Sequence, residues 1–95
     1  MVIPINDHYQ IASDARQWMI QEARKRNGRT VWQSKYYFGT FESAVKDLGE
    51  LMVRESEAQT LADALDDVEK VATTLSQALT PHSELILEAM AKEQK

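Results

Sequence analysis

The sequence predicts an α+β fold, a three-stranded antiparallel meander packed on a helix and followed by a helical hairpin. Apolar residues recur with a period of two up to Phe38 and with a period near 3.6 after Gly39. Asn27-Gly28 supplies a tight-turn signal between two alternating segments. Charge divides at the same place: residues 1–40 hold six Lys/Arg and three Asp/Glu, a net +3, while residues 41–95 hold five Lys/Arg and twelve Asp/Glu, a net −7.

The first strand, about residues 9–13, alternates in Tyr9-Gln10-Ile11-Ala12-Ser13, and Asp14-Ala15 is expected to turn the chain. A second strand, about 17–25, alternates around Trp18 and Ile20. A third, about 29–38, is rich in β-branched and aromatic residues. Asn and Gly both tolerate the positive φ that a type I′ turn needs at its two central positions. Centring that turn on Asn27-Gly28 pairs Trp18 with Tyr37, Met19 with Tyr36, Ile20 with Lys35 and Ala23 with Trp32. A two-residue turn at Asp14-Ala15 pairs Ile11 with Trp18 and Tyr9 with Ile20. Tyr9, Ile11, Trp18, Ile20 and Tyr37 are then expected on the core face. Gln10, Met19, Gln21, Ala23, Trp32, Ser34, Tyr36 and Phe38 are expected on the outer face.

The helix expected over about 41–57 has Thr40 as N-cap, Glu42 in its first turn, and Phe41, Ala44, Val45, Leu48 and Met52 on one stripe. Gly49 interrupts it, as a close backbone approach or as a tolerated exposed position. Thr60-Leu61-Ala62-Asp63 resembles a capping box and opens the first arm of the hairpin, about 61–79. Its apolar positions Leu61, Leu65, Val68, Ala72, Leu75 and Leu79 alternate spacings of four and three, a helix-pairing seam that fits a hairpin within one chain or a pair between two. Thr80-Pro81 is expected to start the second arm, about 81–92, since Pro is favoured at the first helical position. Lys92 to Lys95 are expected to fray.

A chain of 95 residues with 43% hydrophobic content closes one core, so residues 1–95 are read as a single domain. With no cysteine there are no disulfides, thiol nucleophiles or thiolate metal sites, which fits a reducing cytosol. The first residues lack a basic segment followed by an apolar run, and no stretch approaches membrane-spanning length, so no membrane partner is expected.

Chemistry-bearing constellations are sparse. His8 and His82 lie outside any metal or catalytic motif, and the serines lack the flanks of an activated nucleophile. No catalytic residue, metal or cofactor is therefore expected. Partner binding is the expectation that remains, through Gln21, Trp32, Ser34 and Tyr36 on the outer sheet face with Arg24, Lys25, Arg26 and Arg29 at the hairpin tip. Aromatics bring large contact area and arginine brings several donors. A cationic β-ribbon with aromatics behind it also suits nucleic acid. Should the partner be a basic nucleic-acid channel, Asp63, Asp66, Asp67 and Glu69 form an alternative acidic interface that imitates phosphates. A further alternative is a dimeric scaffold joined through the 61–79 helix, so both monomer and homodimer stay open.

Asn6-Asp7, Tyr9, Ile11, Ser13-Asp14, Trp18, Glu22, Trp32, Tyr36-Tyr37, Ala44, Arg54-Glu55-Ser56, Ala58 and Thr60-Leu61 together resemble small uncharacterised accessory proteins of bacteriophages and prophages, over about residues 5–65. That resemblance carries no catalytic residues. It implies a non-enzymatic binding or inhibitory protein that occupies a surface of a host protein or nucleoprotein complex, in the manner of anti-CRISPR and other counter-defence inhibitors.

Overall fold

The computed structural model describes residues 1–56 and 59–93, with Leu61 described through its backbone alone. It is α+β. Strands β1 (Val2–Pro4), β2 (Tyr9–Ser13), β3 (Trp18–Arg26) and β4 (Arg29–Phe38) form one antiparallel sheet in chain order, and helix α1 (Phe41–Arg54) covers one face. Helix α2 (Leu61–Leu79) then passes through a 3₁₀ turn, Thr80–His82, into helix α3 (Ser83–Glu93).

The sheet has four strands where three were expected. In β1 only Ile3 points into the core, where it is fully buried, and a three-residue strand with one inward side chain leaves almost no periodic signal. Pro4 sits where its missing N–H costs nothing, on an outer strand.

The β2–β3 connection is also longer than expected. Asp14 Oδ1 accepts from the backbone N–H of Arg16 at 2.8 Å and of Gln17 at 2.9 Å, so residues 14–17 form the turn. Ile11 therefore pairs with Ile20, not Trp18, and Tyr9 pairs with Glu22, not Ile20. A slide of two residues preserves side-chain parity, so Tyr9, Ile11, Trp18 and Ile20 still share the buried face.

The β3–β4 turn has the expected geometry, with Asn27 at φ 51° and Gly28 at φ 77°. The expected register holds from Arg26↔Arg29 to Gln21↔Ser34 and then breaks at a bulge. Lys35 has no partner, so Trp18 faces Phe38, Met19 faces Tyr37 and Ile20 faces Tyr36. One extra residue inverts the parity of every later position in the strand. Tyr36 and Phe38 move to the helix side, and Tyr37, expected in the core, moves to the outer face, where it is 57% exposed.

The core joins Ile3, Ile5, Tyr9, Ile11, Trp18 and Ile20 of the strands and their flanks to Phe41, Ala44 and Leu48 of α1 and Ile86 of α3. Thr40 caps α1 as expected, its Oγ1 accepting from Ser43 N at 3.2 Å. The Trp18 and Phe41 rings meet edge to face with centroids 4.8 Å apart. One carboxylate oxygen of Glu93 accepts from Trp18 Nε1 at 2.5 Å and from Phe41 N at 2.8 Å, joining α3 to the sheet and to the start of α1.

The expected hairpin between 61–79 and 81–92 does not form. Leu79, Thr80 and Ser83 all keep right-handed helical backbone angles, so the chain runs on instead of reversing. Pro81 tightens the turn without breaking it, and the Thr80 hydroxyl donates back to Ser76 O at 2.7 Å instead of capping a new helix. The partner of α2 is α1. Its inward strip is Ala64, Val71, Leu75 and Ala78, all half-buried, while Leu65 and Val68 of the expected seam are 59% and 46% exposed. Helix α1 ends at Arg54 with Glu55 as its C-cap, short of the expected end near 57; residues 57 and 58 and the side chain of Leu61, the first seam position, lie outside the described residues. The helix continues through Glu93 where fraying was expected, with residues 94 and 95 outside the described set.

Candidate functional site: an uncovered sheet face and a cationic ribbon

Because β2 pairs with β3 only as far as Tyr9↔Glu22, residues 23–32 extend past the rest of the sheet as a two-stranded ribbon, roughly 13 Å long at about 3.3 Å per residue. The overhang contributes to a flattened shape of 43 × 36 × 22 Å and a radius of gyration of 14.3 Å, against about 12 Å for a compact chain of this length. Arg24, Lys25, Arg26 and Arg29 are all exposed there. Side-chain alternation puts Arg24, Arg26 and Arg29 on one face of the ribbon and Lys25, Thr30 and Trp32 on the other.

Arg26 lies directly opposite Arg29. Like charges at facing positions oppose strand pairing, and among the described residues neither forms an ion pair. Arg24 differs, since its Nη2 is 3.4 Å from Glu22 Oε1. The tight turn sets the backbones of these two arginines at facing positions, so two positive charges start from adjacent points at the end of the ribbon.

Helices cover only the opposite side of the sheet. The outer face keeps Gln10, Met19, Gln21, Ala23, Trp32 and Ser34, as expected, and gains Tyr37. Polar groups there are linked in a chain: Gln10 Nε2 donates to Gln21 Oε1 at 2.6 Å, Gln21 Nε2 donates to Ser34 Oγ at 3.1 Å, and Ser34 Oγ approaches Met19 Sδ at 3.5 Å. This explains how Gln10 is buried without an orphaned amide and why the centre of the face is preorganised. Trp32, half-buried, lies at one end of the chain beside the ribbon, and Tyr37 lies at the other.

Of the expected site residues, the fold brings Gln21, Ser34 and Trp32 together on this face with Lys25 alongside. It does not bring Tyr36. That ring is on the helix side beside Ile20, Leu51 and Arg54. Tyr37 is the aromatic residue that the expected register missed. The sequence holds no cue to it apart from the adjacent Tyr36-Tyr37 pair, one of which must face outward. The alternative acidic residues sit on the N-terminal half of α2, with Asp63, Asp66 and Glu69 exposed and Asp67 half-buried. Asp66 is paired to Lys70 one turn away at 3.1 Å, which makes part of that face self-neutralising.

No metal-holding group of three or more His, Cys, Asp or Glu side chains occurs among the described residues, and no helix among them is long and apolar enough to cross a membrane. His8 is exposed in the β1–β2 turn and His82 is half-buried in the 3₁₀ turn. Tyr9 is the most perturbed ionisable group. Its hydroxyl donates to Glu55 Oε1 at 2.5 Å, and burial followed by that bond and the negative charge of Glu55 hold the phenol well above its ordinary value of 10.0. The fold thus favours neutral Tyr9. That contribution is complete below the unfolded pKa of about 10 and is lost as pH rises from there through the folded value. Wild-type protein should accordingly lose stability in denaturant titrations between about pH 9 and pH 11, and Tyr9→Phe should lose less over the same range. Equal losses would mean that Tyr9 ionises freely in the fold.

The chain matches no known family model, no curated protein and no solved structure.

Proposed function

We propose that the protein is a non-enzymatic binder of phage type that occupies an acidic surface of a host protein complex, a defence effector being the class that the resemblance suggests. The observation that carries this reading is the Arg26–Arg29 pair, held facing and uncompensated at the end of a ribbon that projects past the covered sheet. On the other face of the ribbon, beside Lys25, Trp32 supplies aromatic area together with Tyr37 further along the sheet, and the Gln10–Gln21–Ser34 chain supplies fixed donors and acceptors between the two rings. A net charge of −7 over residues 41–95 against +3 over residues 1–40 orients the ribbon towards an acidic partner and the helices away from it.

Affinity capture from a bacterial host, followed by measurement of the recovered complex, tests the reading. Arg26→Glu with Arg29→Glu should weaken binding about 100-fold, the equivalent of roughly 2.7 kcal/mol. Reversal of Asp63 and Glu69 to Lys should change it less than threefold. The opposite ranking would move the interface to α2 and remove the ribbon from the proposal.

Nucleic acid is the second reading, favoured by cations on both faces of the ribbon, since Arg26 and Arg29 on one face can contact phosphates while Trp32, beside Lys25 on the other, stacks a base. It requires binding to mixed-sequence oligonucleotides with a log–log salt slope near −3, about 0.9 per phosphate for three or four contacts. A flat salt response eliminates it.

A further inference from the structure

We infer that a second copy of this chain docks on the α1–α2 face, through an antiparallel pairing of the two α2 helices about a two-fold axis. Leu61, Leu65, Val68, Ala72, Leu75 and Leu79 have the alternating four-and-three spacing of a helix that packs along another helix. Within the chain α2 does not use Leu65 and Val68 of that seam. It packs through the neighbouring strip of Ala64, Val71, Leu75 and Ala78, leaving Leu65 59% and Val68 46% exposed and Ala72 exposed between them and Leu75. Leu65, Val68 and Ala72 of the pairing surface are thus turned outward, while Leu75 and Leu79 pack against the chain's own core.

Beside it runs an open apolar groove of about 710 Å³, walled by Val45 and Val53 of α1 and by Val68, Ala72 and Leu75 of α2, with Gly49 at its floor. A Cβ at Gly49 would stand 3.5 Å from Leu75 Cδ1, an ordinary contact, so packing within the chain does not demand glycine there. What glycine provides is depth. If Val68 faces Ala72 of the second copy, antiparallel geometry places Leu65 against Leu75 of that copy, at the groove. Each chain presents one knob and one hole on the same face, the condition for a closed two-fold contact.

Charge selects the antiparallel direction. Asp63, Asp66, Asp67 and Glu69 crowd the first half of α2 and outweigh Lys70, which pairs with Asp66, whereas residues 71–79 carry no charge at all. A parallel pair would set the two acidic runs side by side. The antiparallel pair sets each against a neutral half and brings it towards Lys46 and Arg54 on the groove rim, which outnumber Glu50 there. About four turns of α2 plus the groove offer on the order of 1,000 Å² of buried surface, the lower bound for a specific association, so a dissociation constant in the micromolar range is expected. The inference does not depend on the proposed function. Since the helices cover the side of the sheet opposite the outer face, a dimer leaves both ribbons free and makes the molecule bivalent.

Sedimentation velocity of the whole chain from about 1 to 100 µM tests this. Wild type should move from one to two chain masses across that range. Leu65→Glu with Val68→Glu, both exposed and so compatible with the fold, should remain monomeric, raising the dissociation constant at least 100-fold at unchanged helical circular dichroism. Gly49→Met, which fills the groove without adding charge, should also dissociate the dimer, and Leu87→Glu, exposed on α3, should leave it intact. A wild-type chain that stays monomeric throughout, a dimer that survives the Leu65/Val68 double substitution, or one lost only on Leu87→Glu overturns the inference.

Discussion

Trp18→Ala should lower stability by about 3–5 kcal/mol, a large share of the 5–15 kcal/mol typical of a domain, and depress the melting temperature by at least about 12 °C. Three losses coincide at this residue. The indole is 4% exposed, so truncation opens a cavity between sheet and helices. The edge-to-face contact with Phe41 disappears. Glu93, whose oxygen also accepts from Phe41 N, keeps that bond but loses its indole donor in a partly dry site. Trp18→Phe separates these contributions, because it retains most of the ring and removes only the donor, for an expected loss of about 1–2 kcal/mol. Differential scanning calorimetry on the three proteins provides the comparison. A shift below about 4 °C for Trp18→Ala would show that the core closes without this ring.

Deletion of Lys35 together with Tyr36 should cost about 2–3 kcal/mol, with a fall in melting temperature of roughly 8–15 °C, whereas deletion of Lys35 alone should stay within about 1 kcal/mol of wild type and Lys35→Ala within about 0.5 kcal/mol. The side chain of Lys35 is exposed, and Lys35 is the residue left without a partner. Without it Tyr36, Tyr37 and Phe38 move up one place in the register set by Asn27-Gly28 and still face Ile20, Met19 and Trp18, now in an unbroken ladder. Loss of Tyr36 as well sets Tyr37 opposite Ile20 and Phe38 opposite Met19, turning Phe38 away from the core it packs against and driving the Tyr37 hydroxyl towards apolar neighbours. Equal stability of the double deletion and the wild type would mean that strand register does not assign the faces.

Much of this architecture is legible from short-range chemistry. Alternation marks β2, β3 and β4, the positive-φ pair Asn27-Gly28 anchors the hairpin, and Thr40 with the Phe41, Ala44 and Leu48 stripe defines α1. The same reasoning places Gln21, Ser34 and Trp32 on one open face and Arg24, Lys25, Arg26 and Arg29 on the ribbon. It fails where the deciding interaction is distant or has no side-chain signature. A bulge at Lys35 needs no special residue, so Tyr36 and Tyr37 exchange faces without warning. Pro81 reads as a helix start, yet helical backbone at Leu79, Thr80 and Ser83 carries the chain past it, because α2 finds its partner in α1 and leaves α3 to the sheet. Glu93 looks like one more solvated acid, since its two donors lie 52 and 75 residues away.

That last connection sets the order in which the molecule can assemble. The hairpins form from neighbouring residues and can appear within microseconds, but the clasp that holds α3 on Trp18 and on the first amide of α1 cannot close until residue 93 is present. Helix α1 begins to cover the apolar side of the sheet, and that cover is complete only once α3 has landed.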